Sequence, residues 1–415
     1  MAKNPIEDLY QANAMDYGQE INEKLDILGE HSAVGEGVTR IYLTPEHRSA
    51  LDLLQVWMEE AGFTTTLDQA GNLIGEYHPY PDRKTLVMGS HQDTVHNGGK
   101  YDGALGIVLP LVCAGRLISR EELPCNLTLI AFGDEEGVRF KTTFLGSMAY
   151  NGHLSQTLLE RRDDTGQSLA EALTAFGCDP HQVNNSRPSA GDGYVEIHIE
   201  QGPVLEEEDL PVGIVTAIQS SSLYQVTLTG LAGHAGTVPM AYRQDPVATM
   251  AEALVALRTL ALSGTNLVAT VGEITVRPGS VNVIPGEVCF TIDIRSPEEK
   301  VIAETMATWE GALEEICGEQ GTRYQVKQVN AIPATFCDQE MISLLTEACK
   351  EAGFPPYYLA SGAGHDTQEM KSVLPVAMLF VRNRKGISHN PQEFVSVEDM
   401  ERAAQVVTNL MRNYH

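Results

Sequence analysis

Residues 88–106, MGSHQDTVHNGGKYDGALG, concentrate His91, Asp93, His96 and Asp102 in one glycine-rich stretch that follows a short apolar run. Imidazole and carboxylate groups are ligands for divalent cations. In SHQDTV the histidine and the aspartate are two positions apart. A metal-bound imidazole donates its second N–H to a carboxylate, which fixes tautomer and ring orientation, and Asp93 is placed for that role beside His91. Asp102 stands just before the glycine that opens a helix, which suits a helix cap and equally a carboxylate bridging two ions. After the apolar LTLIAF comes GDEEG, whose adjacent glutamates repel unless a cation holds them. The segment is either a solvated turn or a division of labour, with Glu136 as ligand and Glu135 as general base toward water. His198, in YVEIHIEQG, alternates with Val195, Ile197 and Ile199 and is read onto the polar face of a strand. His389, in GISHNP, follows another apolar run. Singly, each histidine suits a hydrogen-bonded strand or loop residue. Together, three His, one Asp and one Glu suffice for two first-row ions sharing Asp102, roughly 3.5–4 Å apart.

These groups must be held by regular elements, and the pattern supplies them. Residues 45–62 repeat apolar positions at helical spacing and end at Gly62. Strands follow at TTTLD, LIGEY and KTLVMGS, then a helix from Gly103 and the strand CNLTLIAF. Such β-α-β alternation predicts a mainly parallel sheet with helices on both faces, whose ligand sites lie beyond the carboxyl ends of strands. Near residue 217 the order changes to strand, loop, helix (Pro246–Leu262), strand LVATVGEITV, strand VNVIPGEVCFTIDIR, helix (Pro297–Glu319) and strand. After about residue 334 the first pattern resumes with a helix at 338–352 and the strand VAMLFV. The expected architecture is one α/β domain, residues 1–216 with 334–415, interrupted by an α+β domain at 217–333.

A chain of 415 residues with 43% hydrophobic and 20% charged residues has globular composition. Its net charge of −28, from 56 acidic against 28 basic residues, excludes general affinity for nucleic acid or anionic membranes. A small anionic substrate stays open, because a few local arginines override the global field at contact distance. Seven scattered cysteines with no C-x-x-C spacing fit a reducing, cytoplasmic protein. The N-terminal MAKNPIEDLYQANAMDYG shows no apolar leader. The longest apolar run, from Gly103, is broken by Pro110 and too short to span a bilayer.

SHQDTVHNGGKYDGALG, FGDEEGVRF, EIHIEQG, GHAGTVPM, VNVIPGEVCFTIDIR, SGAGHD and GISHNP, in this order, resemble the hydantoinase/carbamoylase amidases of the di-zinc aminoacylase and carboxypeptidase clan. That branch includes N-carbamoyl-L-amino-acid hydrolase, allantoate amidohydrolase and beta-ureidopropionase. The resemblance runs from about residue 35 to the C-terminus. It implies a di-metal-peptidase-like catalytic domain and a homodimer in which the inserted domain serves as dimerisation element and lid. By that resemblance one metal is held by His91, Asp102 and His198, the other by Asp102, Glu136 and His389, with Glu135 as base and Asp93 as partner behind them. His234 in GHAG matches an oxyanion-stabilising residue, and Asn282 and Arg295 match groups that grip a substrate carboxylate, Arg by a bidentate fork. His365 in SGAGHD and Gln201 after HIE are read as substrate contacts. His96 matches no ligand and is read as an exposed loop residue.

The activity so implied is hydrolysis of the carbamoyl C–N bond of an N-carbamoyl-L-amino acid to amino acid, carbon dioxide and ammonia. Two divalent ions per chain are expected, zinc first, with manganese, cobalt or nickel as alternatives. Allantoate or a beta-ureido acid is the competing substrate within the branch. A peptidase of the wider clan and a non-catalytic binding protein are the rivals outside it. EIHIEQG and SGAGHD speak against the first, and the presence of Glu135, which no metal requires, against the second.

Overall fold

The computed structural model describes residues 16–185 and 191–415, so most of the N-terminal stretch read for a leader lies outside the described residues. Helices α1 (Tyr17–Gly29) and α2 (Pro45–Glu60) come first. Pro45 sits in the first turn of α2, Thr44 Oγ1 caps it by accepting from His47 N at 3.3 Å, and Ala50, Leu51, Leu54 and Met58 form its buried stripe. There follow β1 (Thr64–Leu67), β2 (Leu73–Tyr77), β3 (Thr85–His91), α3 (Leu105–Ser119), β4 (Asn126–Phe132), β5 (Gly193–Ile199) and β6 (Val212–Ile218). Next come β7 (Ser220–Thr229), β8 (Gly233–His234), α4 (Pro246–Ser263), β9 (Val268–Thr270), β10 (Ile274–Arg277), β11 (Val283–Ile284), β12 (Glu287–Ser296), α5 (Glu299–Gln320) and β13 (Arg323–Ile332). The chain closes with β14 (Thr335–Phe336), α6 (Gln339–Glu351), β15 (Tyr358–Ser361), β16 (Val376–Val381) and α7 (Val397–Asn413).

Two compact units result, one ending at Thr216 and resuming at Cys337, the other Ala217–Phe336. The main sheet runs β1-β2-β4-β3-β5-β16-β6-β14, with β15 also on β6. β4, β3, β5 and β16 are mutually parallel, and antiparallel strands flank them. Every residue of these four parallel strands is buried, as continuous apolar runs between helical layers require. The alternation in β5 therefore does not mark a solvent-facing side. Glu196 and His198 are at most 1% exposed, and the polar face is an internal one.

The second unit is an antiparallel sheet, β10-β12-β7-β13 with β9 also on β12. α4 and α5 pack on it through Ala253, Leu257, Trp309 and Leu313, against Val226, Leu228, Phe290 and Ile292. Trp309 Nε1 donates to the Ala253 carbonyl at 2.8 Å, which satisfies the one polar group of the largest core side chain. LVATVGEITV, read as one strand, is two. Thr270 pairs with Asp293 and Ile274 with Phe290, so residues 271–273 oppose only Thr291 and Ile292, a one-residue bulge. VNVIPGEVCFTIDIR likewise breaks at Pro285-Gly286 into β11, which pairs with β8, and β12. By length and composition α4 is apolar enough to cross a bilayer, whereas the apolar run from Gly103 forms the shorter, buried α3. One face of α4 enters this core while Val255 and Leu262 stay exposed.

Candidate metal centre

The carboxyl ends of the parallel strands converge on one cluster. His91 ends β3 and His198 lies near the end of β5, each 1% exposed, with ring centroids 5.6 Å apart and Nε2 atoms 3.4 Å apart. Nδ1 of His91 lies 3.0 Å from the Asp93 carbonyl, and Nδ1 of His198 lies 2.9 Å from the Ile199 carbonyl. A carbonyl only accepts, so each ring carries its proton on Nδ1 and turns an Nε2 lone pair inward. Asp102 Oδ1 is 3.3 Å from His91 Nε2 and 3.2 Å from His198 Nε2. Its other oxygen, Oδ2, is 3.6 Å from Nε2 of His389, which stands 3.3 Å from Glu136 Oε1. His91, Asp102 and His198 form one group whose ligand atoms all lie within 4.8 Å of one another, and Asp102, Glu136 and His389 form a second.

The Gly103 amide, 3.3 Å from His198 Nε2, is the one backbone donor at these facing lone pairs among the described residues, and the rest of the cluster needs a proton or a cation. Burial opposes protonation of His91, but the nearby carboxylates of Asp102, Asp93 and Glu135 outweigh it and hold its pKa well above the usual value. His198 is raised by Asp102 against the same burial, and Asp102 is in turn drawn well below the usual carboxylate range by His198 and His91, although burial alone would raise it. A hydrogen bond to Glu136 raises His389. The donor set thus fits divalent metal binding.

Asp93 departs from its expected role. Its carboxylate accepts Glu135 N at 3.0 Å and Glu136 N at 3.2 Å, while its Oδ1 is 3.6 Å from His91 Nδ1, too long for a hydrogen bond. The reason is register. β3 and β4 run side by side with His91 opposite Phe132, so the amides of the turn after β4 reach Asp93 first. Asp93 shapes the Glu135–Glu136 turn, and the Asp93 carbonyl orients His91. Burial drives the Glu135 carboxyl well above the ordinary carboxylate range, and Glu136 adds to it. Glu135 Oε2 lies 3.9 Å from His91 Nε2, at the edge of the cluster.

Gln201 is turned onto the His/carboxylate cluster, with Nε2 donating to Asp102 Oδ2 at 2.9 Å. His365 is 1% exposed, meets the His198 ring edge-on at 4.5 Å between centroids, and bonds Ser361 Oγ at 2.8 Å. His96 is exposed in a turn. Four further residues, Ser388, Glu393, Glu196 and Thr367, support the cluster. Ser388 Oγ donates to Asp102 Oδ2 and lies 3.1 Å from Glu393 Oε2. Glu393 Oε1 accepts the amides of Tyr101 and Asp102, each at 2.9 Å, and burial followed by the Asp102 charge pushes its carboxyl up to about 7. Buried Glu196 accepts from Ser90 Oγ, Tyr194 OH and both N and Oγ1 of Thr367. The signal for Ser388 and Glu393 was their place beside His389 in SHNPQE. None existed for Thr367, which chain folding alone brings to β5.

His234, Asn282 and Arg295 belong to the second unit. There β8 pairs His234 with Val283 of β11, and Ala235 N donates to the Asn282 carbonyl at 3.0 Å, so GHAG and VNVIP form one ribbon. His234 is exposed, with Nδ1 accepting Gly236 N at 3.0 Å. Arg295 forks onto Asp293, Nε to Oδ1 at 3.0 Å and Nη2 to Oδ2 at 2.7 Å.

N-carbamoyl-L-amino acid amidohydrolase of Geobacillus stearothermophilus is 38% identical over 398 residues, spanning 94% of this chain and 97% of that protein. Allantoate deiminase 1 of Glycine max is 37% identical over 426 residues, 93% of this chain and 87% of that protein. The crystal structure of a hydantoinase/carbamoylase family amidase from Burkholderia multivorans superposes with a TM-score of 0.89 at 30% identity, over 96% of this chain and 98% of that one. Residues 87–413 match peptidase family M20/M25/M40, and with these relatives the chain belongs to that family, on its hydantoinase/carbamoylase amidase branch.

Proposed function

We propose that this chain is a metal-dependent amidohydrolase that cleaves the carbamoyl C–N bond of an N-carbamoyl-L-amino acid, releasing the amino acid, carbon dioxide and ammonia. The observation that carries the reading is the coincidence of the His91, Asp102, His198, Glu136 and His389 donor set and the buried Glu135 with relatives named for hydrolysis of carbamoyl and ureido C–N bonds. The family is metal-dependent. His91, Asp102 and His198 would hold one ion and Asp102, Glu136 and His389 the other, with zinc the first expectation and manganese, cobalt or nickel also suited to imidazole and carboxylate. When bound, such ions polarise a substrate oxygen and make water more acidic.

The residues of this chain supply the rest. Glu135 takes a proton from the attacking water and returns it to the departing nitrogen. Its raised pKa brings it nearer the value at which a base at neutral pH both accepts and gives back a proton. Asp93 fixes the turn that aims it. We assign His234 to the developing oxyanion, and Asn282 and Arg295 to the substrate carboxylate, Arg295 exchanging Asp293 for the ligand through its fork. His365, buried behind His198, is assigned to holding that imidazole and the substrate it faces. Homodimerisation through the inserted domain is supported by the exposed apolar side of α4 and by β13, a sheet edge with most of its length exposed. The free cysteines suit a cytoplasmic setting.

Ammonia release by metal-loaded protein against N-carbamoyl-L-methionine, its D-enantiomer, N-carbamoyl-beta-alanine, allantoate and a dipeptide tests the activity. Release from the L-carbamoyl compound alone is expected. Release from allantoate alone would move the chain to the second reading, which Glycine max allantoate deiminase 1 favours on nearly equal identity. Sedimentation at twice the 45.2 kDa chain mass checks the dimer.

A further inference from the structure

The two metal positions share Asp102, yet they do not share its surroundings. Oδ1 faces two imidazoles that are each 1% exposed, and nothing else reaches it among the described residues. Oδ2 faces His389, whose side chain is 49% exposed, and it also takes hydrogen bonds from Gln201 Nε2 and Ser388 Oγ. Those donors are themselves anchored. Gln201 N donates to Asn383 Oδ1 at 3.1 Å, and Asn383 Nδ2 donates to the Ile387 carbonyl at 2.8 Å, one residue before Ser388. Ser388 reaches Glu393, whose other oxygen grips the backbone amides of Tyr101 and Asp102. The amide orientation of Gln201 is forced, because the alternative would set its Oε1 against a carboxylate oxygen.

We propose that Gln201 and Ser388 are positioning residues that fix the rotation of the Asp102 carboxylate, so that Oδ2 is presented to the Glu136–His389 position. They make the second metal position dependent on a clamp that the first does not need. The proposal rests on the two-ion reading above and deepens it. Both oxygens move together when the carboxylate turns about its Cβ–Cγ bond, but on the Oδ1 side two buried imidazoles remain as partners through such a turn. On the Oδ2 side, without the clamp, only Glu136 is left to face the partly exposed His389. A supporting group of this kind changes metal affinity by about 10- to 100-fold when removed.

The test is zinc binding to the full-length metal-stripped protein, by competition with a chromophoric chelator and by metal analysis after dialysis. Two classes of site are expected in the unaltered protein. Ser388→Ala and Gln201→Leu should weaken the second class about 10- to 100-fold and leave the first in place, with circular dichroism unchanged. Ser388→Thr, which keeps the hydroxyl, should restore the second class. Equal loss of both classes, no loss of either, or failure of Ser388→Thr to restore binding would overturn the clamp while leaving the two-ion reading intact. A single ion bound by the unaltered protein would overturn the two-ion reading itself, and the inference with it.

Discussion

Glu135 and Glu136 are chemically identical neighbours with different surroundings. Glu136 is within 3.3 Å of His389, whereas Glu135 is buried and protonates more readily than an ordinary carboxylate. Glu135→Gln keeps the size and the backbone amide that Asp93 holds and removes the proton acceptor. It should retain metal and substrate binding and lose about 10²- to 10⁴-fold in turnover, read as kcat against KM on the preferred substrate. Arg295→Lys removes the bidentate fork and should raise KM about tenfold or more with metal content unchanged. His47 illustrates a residue that is not ligating. Its Nδ1 accepts Leu43 N at 2.8 Å, and burial first, aided by the charges of Arg40, Arg48 and Arg139, outweighs Asp93 and brings its pKa down to about 3. Between that value and the unfolded value near 6.5 the unfolded chain holds a proton that the native one refuses. Stability therefore falls as pH drops through this window, by roughly 1.4 kcal/mol per unit for one proton. His47→Asn, which keeps an acceptor for Leu43 N, should show a shallower loss than the unaltered protein in urea unfolding across about pH 4 to 6.5.

The strands deliver the ligands only because α3 lies hard against them. A Cβ at Gly106 would sit 2.0 Å from the Ile197 carbonyl and 2.7 Å from Ser90 Cβ, on the two strands that carry His198 and His91. Gly106→Ala should therefore cost about 1–3 kcal/mol and lower metal retention after dialysis, as the strand ends are pushed apart. Gly311 in α5 has open space around its missing Cβ, and Gly311→Ala should instead stabilise by about 0.5–1 kcal/mol; a matching loss there would mean that the α3 contact is not the cause. The elements themselves were legible to different degrees. β3, β4 and β16 are continuous apolar runs bounded by polar or glycine residues, and a strand buried on both faces leaves that mark. The division of LVATVGEITV was not legible, because a bulge is a property of the pairing with β12 and not of either strand alone.

Each unit carries one tryptophan, Trp57 in α2 and Trp309 in α5, both buried. Unfolding of Trp57→Phe and Trp309→Phe variants should thus report the second and the first unit separately. The segment 217–336 has its own core, so expressed alone it should unfold cooperatively with a shielded Trp309; water-exposed fluorescence before denaturant would mean that this core needs the rest of the chain. At this scale the sequence determined the identity of every ligand candidate, the β-α-β order that puts them after strands, and the change of pattern near residue 217. Those are properties of residue type and local period, which a linear text carries in full. Only the tertiary structure decided that Asp102 directs one oxygen to His91 and His198 and the other to His389, and that Asp93 holds a turn and not a ring. It alone showed that Gln201, Ser388 and Glu393 surround the shared carboxylate. The physical reason is that strands far apart in the chain lie side by side in the sheet, and angstrom-scale distances between their ends, which set hydrogen bonds and ligand geometry, exist only once the strands are paired in register.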